Sequence, residues 1–173
     1  MEERFAIPAV AAIIEYRDSL GRDCIIIQKR MKENGGILNG LMEIPAGKIR
    51  EYEWVFDALK REVKEETGLD VVSVTGFGGE EEYSCKRTGY RVMRIMPYSV
   101  TQNVSGGYSV ILLTFLCRAE GTVVKSTDET QEIHVAELTE VEKLINENEM
   151  MPIHIPALRK YISEKRKAAG SAG

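Results

Sequence analysis

Short apolar runs, separated by turns that contain glycine or charged residues, set the pattern of hydrophobic and polar positions along the chain. Runs of this length that are rich in β-branched and aromatic residues predict β-strands. The pattern predicts strands at residues 5–16, 24–30, 71–74, 76–80, 91–98, 108–118 and 133–137. The first two enclose a turn around Gly21 and are predicted to pair as a hairpin. The run at 108–118 is strongly apolar, which predicts a central place in the sheet.

In other stretches the apolar residues recur with the period of a helix. A helix is predicted over residues 53–67, and it ends at Gly68, a residue suited to the left-handed turn after a helix. Thr139 and Glu142 have the spacing of a capping box, which predicts that a second helix begins there. Pro156 fits the first turn of a last helix. The apolar residues that this last helix is predicted to bury are Leu158, Tyr161 and Ile162.

The remaining segments are polar and are predicted to be loops. They cover residues 31–40, 99–107 and 121–131. The loop at 99–107 has the composition of a substrate-facing loop, and a plain connection between strands is an equal alternative. No repeat or break in composition divides the 173 residues, so one domain is predicted over residues 1–168. Residues 169–173 are predicted to form a flexible tail, with fraying from Lys165 onward.

The helix at 53–67 carries glutamates on the side that its apolar residues define. At about 100° per residue, Glu62 and Glu66 fall within the apolar stripe and Glu65 falls beside it. The stripe itself is formed by Val55, Ala58, Leu59 and Val63. The opposite face holds the other charged residues, Asp57, Lys60 and Lys64. Such a cluster is usually explained by exposure to solvent. Here the solvent-facing side of the helix already carries Asp57, Lys60 and Lys64, so the glutamates lie on another side.

Carboxylates on one half-buried face repel one another and are costly to desolvate unless they are paired or bound to metal. Arg61 can balance only part of the charge of the three glutamates. Their spacings of three and four residues bring helical side chains together. A hard divalent cation binds through oxygen ligands of this kind. The pattern therefore favours a metal site over a structural cluster of ion pairs.

The stretch from Gly47 to Leu69 resembles the Nudix box. The residues that fill the fixed positions of that pattern in register are Gly47, Glu53, Arg61, Glu62, Val63, Glu65, Glu66, Gly68 and Leu69. The resemblance implies an α/β fold, a Nudix-type α/β/α sandwich with a mixed, partly antiparallel sheet and the box loop and helix at its centre. In this reading Gly47, Glu53 and Gly68 are structural positions of the box.

The resemblance also implies roles for individual residues. Mg²⁺, with Mn²⁺ as an alternative, would be held by Glu62, Glu65, Glu66 and the carbonyl of Ala46. Arg61 would pair with Glu53 and brace the loop against the helix, although an exposed ion pair of little worth is equally compatible with the sequence. The base that activates water would be one of the box glutamates, such as Glu65, or a residue of the acidic loop before the last strand. The candidates in that loop are Glu129 and Glu132, and the sequence does not separate them.

The segment from Met42 to Ile49 is similar to the entry of the box in ADP-ribose and ADP-sugar pyrophosphatases. This likeness implies that Arg30 and Glu43 help to bind a nucleotide, and that the enzyme cleaves a nucleoside diphosphate linked to another group. ADP-ribose enzymes commonly carry a proline about 16 residues beyond the box, whereas the next proline here is Pro97. The alternatives are a nucleoside triphosphate pyrophosphatase and a Nudix module that binds nucleotides without turnover.

Composition excludes several other classes of protein. The formal net charge of −4 argues against a general nucleic-acid binder. Three widely spaced cysteines indicate neither a disulfide framework nor a zinc site, which suits a reducing cytoplasm. The N-terminal apolar run contains Pro8 and is too short to span a membrane, so no membrane partner is expected. His134 and His154 are each isolated and are predicted to be structural or surface residues. The sequence does not determine the oligomeric state, and a homodimer is one alternative.

Overall fold

The computed structural model of the protein describes residues 3–33, 36–75 and 82–171. Its strands are β1 (Ile7–Arg17), β2 (Asp23–Arg30), β3 (Met42–Glu43), β4 (Ala46–Lys48), β5 (Asp70–Val74), β6 (Glu82–Ser84), β7 (Arg91–Met93), β8 (Ser99–Gln102), β9 (Val110–Glu120) and β10 (Thr130–Glu137). Its α-helices are α1 (Val55–Thr67), α2 (Leu138–Asn146) and α3 (Ile155–Gly170). Short 3₁₀ turns lie at Gly36–Leu38 and Pro152–His154.

One mixed sheet organises the molecule. The main strand order is β10-β2-β1-β9-β5, and β3, β4 and β8 join it on β2, β1 and β9. The pair β1 and β9 is parallel, whereas the other pairs are antiparallel. Strand β9 has neighbours on both sides, which confirms its predicted central place. Strands β6 and β7 form a separate hairpin.

Strand β1 positions the entry of the box. Near its C-terminal end it pairs with β2 through Glu15, and near its N-terminal end it pairs with β4 through Ala9, Val10 and Ala11. The side chains of residues 9–14 are buried on both faces of the sheet, which explains why the run is apolar without alternation. The short strand β4 therefore lies against the most buried part of the sheet.

Helices cover both faces of the sheet. On one face α1 packs Leu59 and Val63 against β1 and β9, and burial of each side chain contributes about 1.5–3 kcal/mol. On the other face α2 and α3 bury Val141, Leu158 and Tyr161. The predicted α/β/α sandwich with a mixed sheet is confirmed. No helix within the described ranges is both long and apolar enough to cross a bilayer.

Several boundaries differ from the sequence prediction. Residues 99–102 form strand β8 rather than part of a loop, because backbone pairing with β9 orders a polar segment. The strand predicted at 91–98 ends at Met93. Strand β10 begins at Thr130, so the preceding loop is shorter than predicted. The strand predicted at 76–80 lies outside the described residues.

The helix ends also differ from the prediction. Helix α2 begins at Leu138, and its N-cap residue is Glu137, which makes no side-chain capping bond. The predicted capping box does not form, and Glu142 instead pairs with Arg166. Helix α3 continues to Gly170, whereas the sequence predicts fraying from Lys165 onward. Of the flexible tail predicted at residues 169–173, residues 169 and 170 belong to α3, and residues 172 and 173 lie outside the described residues.

Candidate active site

Helix α1 holds the acidic side chains through its buried stripe and its C-terminal cap. Gly68 adopts the left-handed conformation with φ of 78°, and its N–H donates to the carbonyl of Lys64 at 3.0 Å. A Cβ at Gly68 would also meet the side chain of Val124 at 2.8 Å. The predicted cap is confirmed, and the C-terminal end of the helix packs closely against the loop between β9 and β10.

Glu66 is the most buried carboxylate of the helix, with 6% of its side chain exposed. Its Oε2 accepts hydrogen bonds from Gln28 Nε2 at 2.7 Å and from the Ala46 N–H at 2.9 Å. Its Oε1 is buried without a hydrogen-bond donor. Burial, followed by the nearby charge of Glu43, raises the pKa of Glu66 to about 8. This carboxylate is therefore held firmly by one oxygen and left unsatisfied at the other.

Arg61 forms a bidentate pair with Glu53. Its Nε lies 2.7 Å from Glu53 Oε1, its Nη2 lies 2.8 Å from Oε2, and both side chains are largely buried. The same guanidinium donates to the carbonyl of Lys48 at 3.1 Å. The hydrogen bonds from Arg61 lower the pKa of Glu53 to about 2. The geometry is that of a brace between the loop and the helix, because a fork with two parallel bonds fixes both partners.

Glu62 lies over the loop that enters the box. Its Oε1 accepts from Arg61 Nη1 at 2.5 Å, and 15% of its side chain is exposed. A Cβ built on Gly47 would lie 1.9 Å from Glu62 Cδ. A glycine at position 47 therefore gives the carboxylate room to pack directly against the backbone of β4.

Glu65 lies beside the stripe, as predicted, and more than half of its side chain is exposed. Its carboxylate is 3.3 Å from Arg61 Nη1 and 3.9 Å from Arg50 Nη2. Across the described ranges, no three Asp, Glu, His or Cys side chains converge closely enough to hold a metal ion. The three glutamates are thus near one another along the helix and do not form a closed cluster.

The two acidic candidates of the 121–131 region differ in position. Glu129 lines the cleft beside α1, and its Oε2 forms a close ion pair with Lys32. Glu132 has a left-handed backbone with φ of 51°, and its Oε1 pairs with Lys29 Nζ at 2.8 Å. Of these two candidates, Glu129 lines the cleft together with Glu66, and Glu132 does not.

Arg30 and Glu43 form a second buried pair in the cleft. Arg30 Nη1 lies 3.3 Å from Glu43 Oε2, with 11% and 5% of the side chains exposed. The Nε of Arg30 has no hydrogen-bond acceptor. Burial raises the pKa of Glu43, although Arg30 and Lys32 oppose that effect. The two residues proposed from sequence to hold a nucleotide therefore lie together and on the same cleft as the box.

Two residues of the cleft were missed by the sequence prediction. His154 is buried, which agrees with the predicted structural role, but it also lines the cleft and has no partner for Nδ1. Burial, followed by the charge of Arg30, lowers the pKa of His154 to about 3. Lys32 lies between Glu129 and Glu66. Their positions depend on contacts between distant segments, for which the sequence carries no local signal.

Most of these groups border a cleft of about 770 Å³, whereas Gln28, Glu53 and Glu132 do not line it. One part of its lining is charged and includes Glu62, Glu65, Glu66, Arg61, Arg50 and Lys48. Another part is apolar and includes Ile7, Val110, Leu112 and Ile153. A cleft with apolar walls and a few convergent polar groups is the usual form of a small-molecule site.

The donor set at this cleft fits a divalent cation. Glu66 presents a buried oxygen without a hydrogen bond, and Glu62 adds a second carboxylate near the backbone of Gly47. Oxygen ligands of this type match Mg²⁺ and Mn²⁺. A cation beside Glu66 would satisfy an atom that is costly to bury alone.

Comparisons with known proteins agree with this architecture. The family model described as the NUDIX domain matches residues 6–161 of the chain. Comparison with curated protein sequences gives no match. Many solved structures share the fold, and the following three do so at low sequence identity.

The structure of the E. coli ORF135 protein is 22% identical, with a TM-score of 0.58, over 92% of this chain and 90% of that one. The MutT protein from Methanosarcina mazei Go1 is 20% identical, with a TM-score of 0.59, over 95% and 99% of the two chains. A C. elegans Ap4A hydrolase is 16% identical, with a TM-score of 0.56, over 93% and 98%. Because the family match spans most of the sequence, the chain belongs to the NUDIX domain family and is a hydrolase that acts on pyrophosphate bonds.

Proposed function

We propose that the protein hydrolyses the pyrophosphate bond of a nucleoside diphosphate linked to another group, in a reaction that depends on a divalent metal. The proposed substrate is ADP-ribose or another nucleotide sugar, and the products are a nucleoside monophosphate and a phosphorylated remainder. The observation that carries the proposal is Glu66, a buried carboxylate with one oxygen unsatisfied beside the cleft. A buried carboxyl with a raised pKa in a cleft is a candidate functional group, and a bound cation would stabilise its charged form.

Glu62, Glu65, Glu66 and the carbonyl of Ala46 are the residues that would hold Mg²⁺ or Mn²⁺. A metal held there would supply positive charge for the phosphoryl oxygens and would make a water easier to deprotonate. Gln28 and the Ala46 N–H fix the direction of the Glu66 carboxylate through Oε2, which leaves Oε1 for a ligand. Arg61 keeps Glu62 near the box loop through the same guanidinium that binds Glu53.

Glu129 is the proposed general base. It lines the cleft together with Glu66, and its carboxylate accepts the proton of the attacking water. Glu132 is less well supported because it does not line the cleft. Glu65 is the remaining candidate, and its exposed carboxylate contacts Arg61 and Arg50.

The nucleotide end of the substrate is proposed to bind near Arg30 and Glu43. Arg30 carries an unpartnered Nε, and Glu43 supplies a buried acceptor. The apolar lining at Val110 and Leu112 offers a surface for a nucleobase. A cleft of about 770 Å³ suits a ligand with two sugar or base moieties around a pyrophosphate.

A nucleoside triphosphate pyrophosphatase is the second candidate. The observation in its favour is the absence of a proline between Leu69 and Pro97, where ADP-ribose enzymes commonly have one. The solved MutT and Ap4A hydrolase structures share the fold, so neither assigns a substrate to this chain. The two candidates differ in their products.

A substrate panel with chromatographic separation of the products tests the proposal. ADP-ribose, ADP-glucose, dGTP, ATP and diadenosine tetraphosphate are each incubated with the protein and Mg²⁺, and Glu66→Gln serves as the matched control. The proposal expects AMP from ADP-ribose or ADP-glucose, at a rate that the variant lowers by orders of magnitude. Release of pyrophosphate from a triphosphate as the only activity would favour the second candidate. No cleavage of any substrate would overturn both.

A further inference from the structure

Lys32 reaches the cleft from the segment that follows β2. Its Nζ forms a close ion pair with Glu129 Oε2 and lies 4.0 Å from Glu66 Oε1. Only 29% of the Lys32 side chain is exposed. One ammonium group therefore lies between a carboxylate of α1 and a carboxylate of the loop before β10.

The backbone around Lys32 is fixed independently of this ion pair. Its N–H donates to Asn39 Oδ1 at 3.0 Å, and Asn39 Nδ2 donates back to the Lys32 carbonyl at 2.8 Å. The Met31 N–H donates to the carbonyl of Glu129 at 2.9 Å. Because the lysine stem is long and flexible, its ammonium can change partner while the backbone stays in place.

The arginines of the cleft pair with carboxylates other than Glu66. Arg61 binds Glu53 and Glu62, and Arg30 binds Glu43. Within the described ranges, Lys32 is the cation within 4.0 Å of the Glu66 carboxylate. Oε1 of Glu66 accepts no hydrogen bond, so the ammonium favours the charged form of the carboxyl from a distance without satisfying the atom.

We propose that Lys32 is a positioning residue and an internal counter-ion: it holds Glu129 beside Glu66, and a divalent cation that binds Glu66 displaces its ammonium from that carboxylate. The inference rests on the proposed function, since it takes Glu66 as a metal ligand. Its consequence is that the substrate-free protein binds metal weakly. A positive charge 4 Å from a ligand oxygen opposes a second cation by Coulomb repulsion.

The test is a Mn²⁺ titration of the substrate-free full chain, followed by electron paramagnetic resonance of the free ion. Lys32→Met removes the charge and keeps an unbranched side chain that is one heavy atom shorter. Lys29→Met is the matched control, because Lys29 forms a similar pair with Glu132 and does not approach Glu66. We expect Lys32→Met to bind Mn²⁺ about fivefold more tightly or better, and both Lys29→Met and Lys32→Arg to stay within about twofold of the original protein.

The direction of the change separates this role from a structural one. Loss of packing or of loop order would weaken metal binding, whereas loss of a competing charge strengthens it. An unchanged or weaker Mn²⁺ affinity in Lys32→Met overturns the inference and leaves the proposed function standing. Equal Mn²⁺ affinity in the original protein and in Glu66→Gln overturns the metal site at Glu66, and the proposed function with it.

Discussion

Gln28 Nε2 donates a hydrogen bond of 2.7 Å to Oε2 of Glu66, a residue 38 positions further along the chain. Both residues are buried. The bond ties β2 to the last turns of α1 and sets the direction in which the glutamate presents its free oxygen. The proposed metal site thus depends on a sheet residue outside the box as well as on the box itself.

Glu66→Gln tests the charge of this carboxylate without changing its volume. The amide oxygen can still accept the bonds from Gln28 and Ala46, so the melting temperature should change by only a few degrees. Turnover should fall by about a thousandfold, because a ligand charge is lost. Steady-state kinetics at saturating Mg²⁺ and thermal unfolding measure the two effects. Activity close to that of the original protein would count against the role of Glu66.

Glu129→Gln and Glu132→Gln separate two neighbours that the sequence leaves equivalent. Glu129 lines the cleft, whereas Glu132 pairs with Lys29. We expect kcat to fall by about a hundredfold or more for Glu129→Gln, because a general base contributes rate on that scale. Glu132→Gln should retain kcat within about twofold, since an exposed ion pair contributes little. A larger loss of kcat in Glu132→Gln than in Glu129→Gln would indicate that Glu132 is the general base.

Gly47→Ala tests the close approach of Glu62 to the box loop. A Cβ at this position would lie 1.9 Å from Glu62 Cδ, so the loop or the carboxylate must move. Overpacking of this kind costs about 1–3 kcal/mol of unfolding free energy, and turnover should fall with it. Gly170→Ala is the control, because a Cβ there meets no atom within 4 Å. Chemical denaturation and initial rates give both quantities, and a stable, active Gly47→Ala would refute the contact.

His154 predicts a pH dependence of stability. Its pKa is about 3 in the folded protein and about 6.5 in the unfolded chain, so the unfolded state binds more protons between these values. The histidine therefore lowers the unfolding free energy as the pH falls below 6.5, by about 1.4 kcal/mol per pH unit. Glu43 and Glu66 have raised pKa values and act in the opposite direction.

Comparison with His154→Gln isolates this histidine, because the two glutamates are present in both proteins. The unfolding free energy of the variant should fall less steeply between pH 6.5 and 4.5 in urea titrations. Parallel curves for the two proteins would show that His154 is not buried in its neutral form.

The sequence predicts the box helix well because every signal there is local. Helical period places Glu62 and Glu66 toward the protein and Glu65 at the edge, and Gly68 ends the helix. The apolar runs predict most of the strands, and the resemblance of the box implies the α/β/α layers. The arrangement of the fold was therefore accessible from residue pattern and from the resemblance of the box.

The errors arise where tertiary contacts decide. Helix α2 begins directly after β10, so the Thr139 spacing does not set its start. Lys165 pairs with Glu15 at 2.9 Å and with Asp23 at 3.4 Å, which holds the end of α3 against the sheet. A polar segment such as β8 carries no apolar alternation, and its order comes from the partner strand.

Within the site, non-local geometry again limits the prediction. Glu129 and Glu132 are distinguished by the irregular register between Gln131 and His134 in β10 and by the left-handed backbone of Glu132. Neither feature is visible in the spacing of the residues. His154 and Lys32 reach the cleft only through the packing of distant segments around it.

A crystal of the protein soaked in Mn²⁺ tests the central claim most directly. Anomalous diffraction should give a peak within ligand distance of Glu66 Oε1, at about 2.2 Å, with Glu62 and the Ala46 carbonyl turned toward it. The same soak of Glu66→Gln should give no peak. Absence of anomalous density beside Glu66 in the original protein, with Oε1 still unpartnered, would contradict the account.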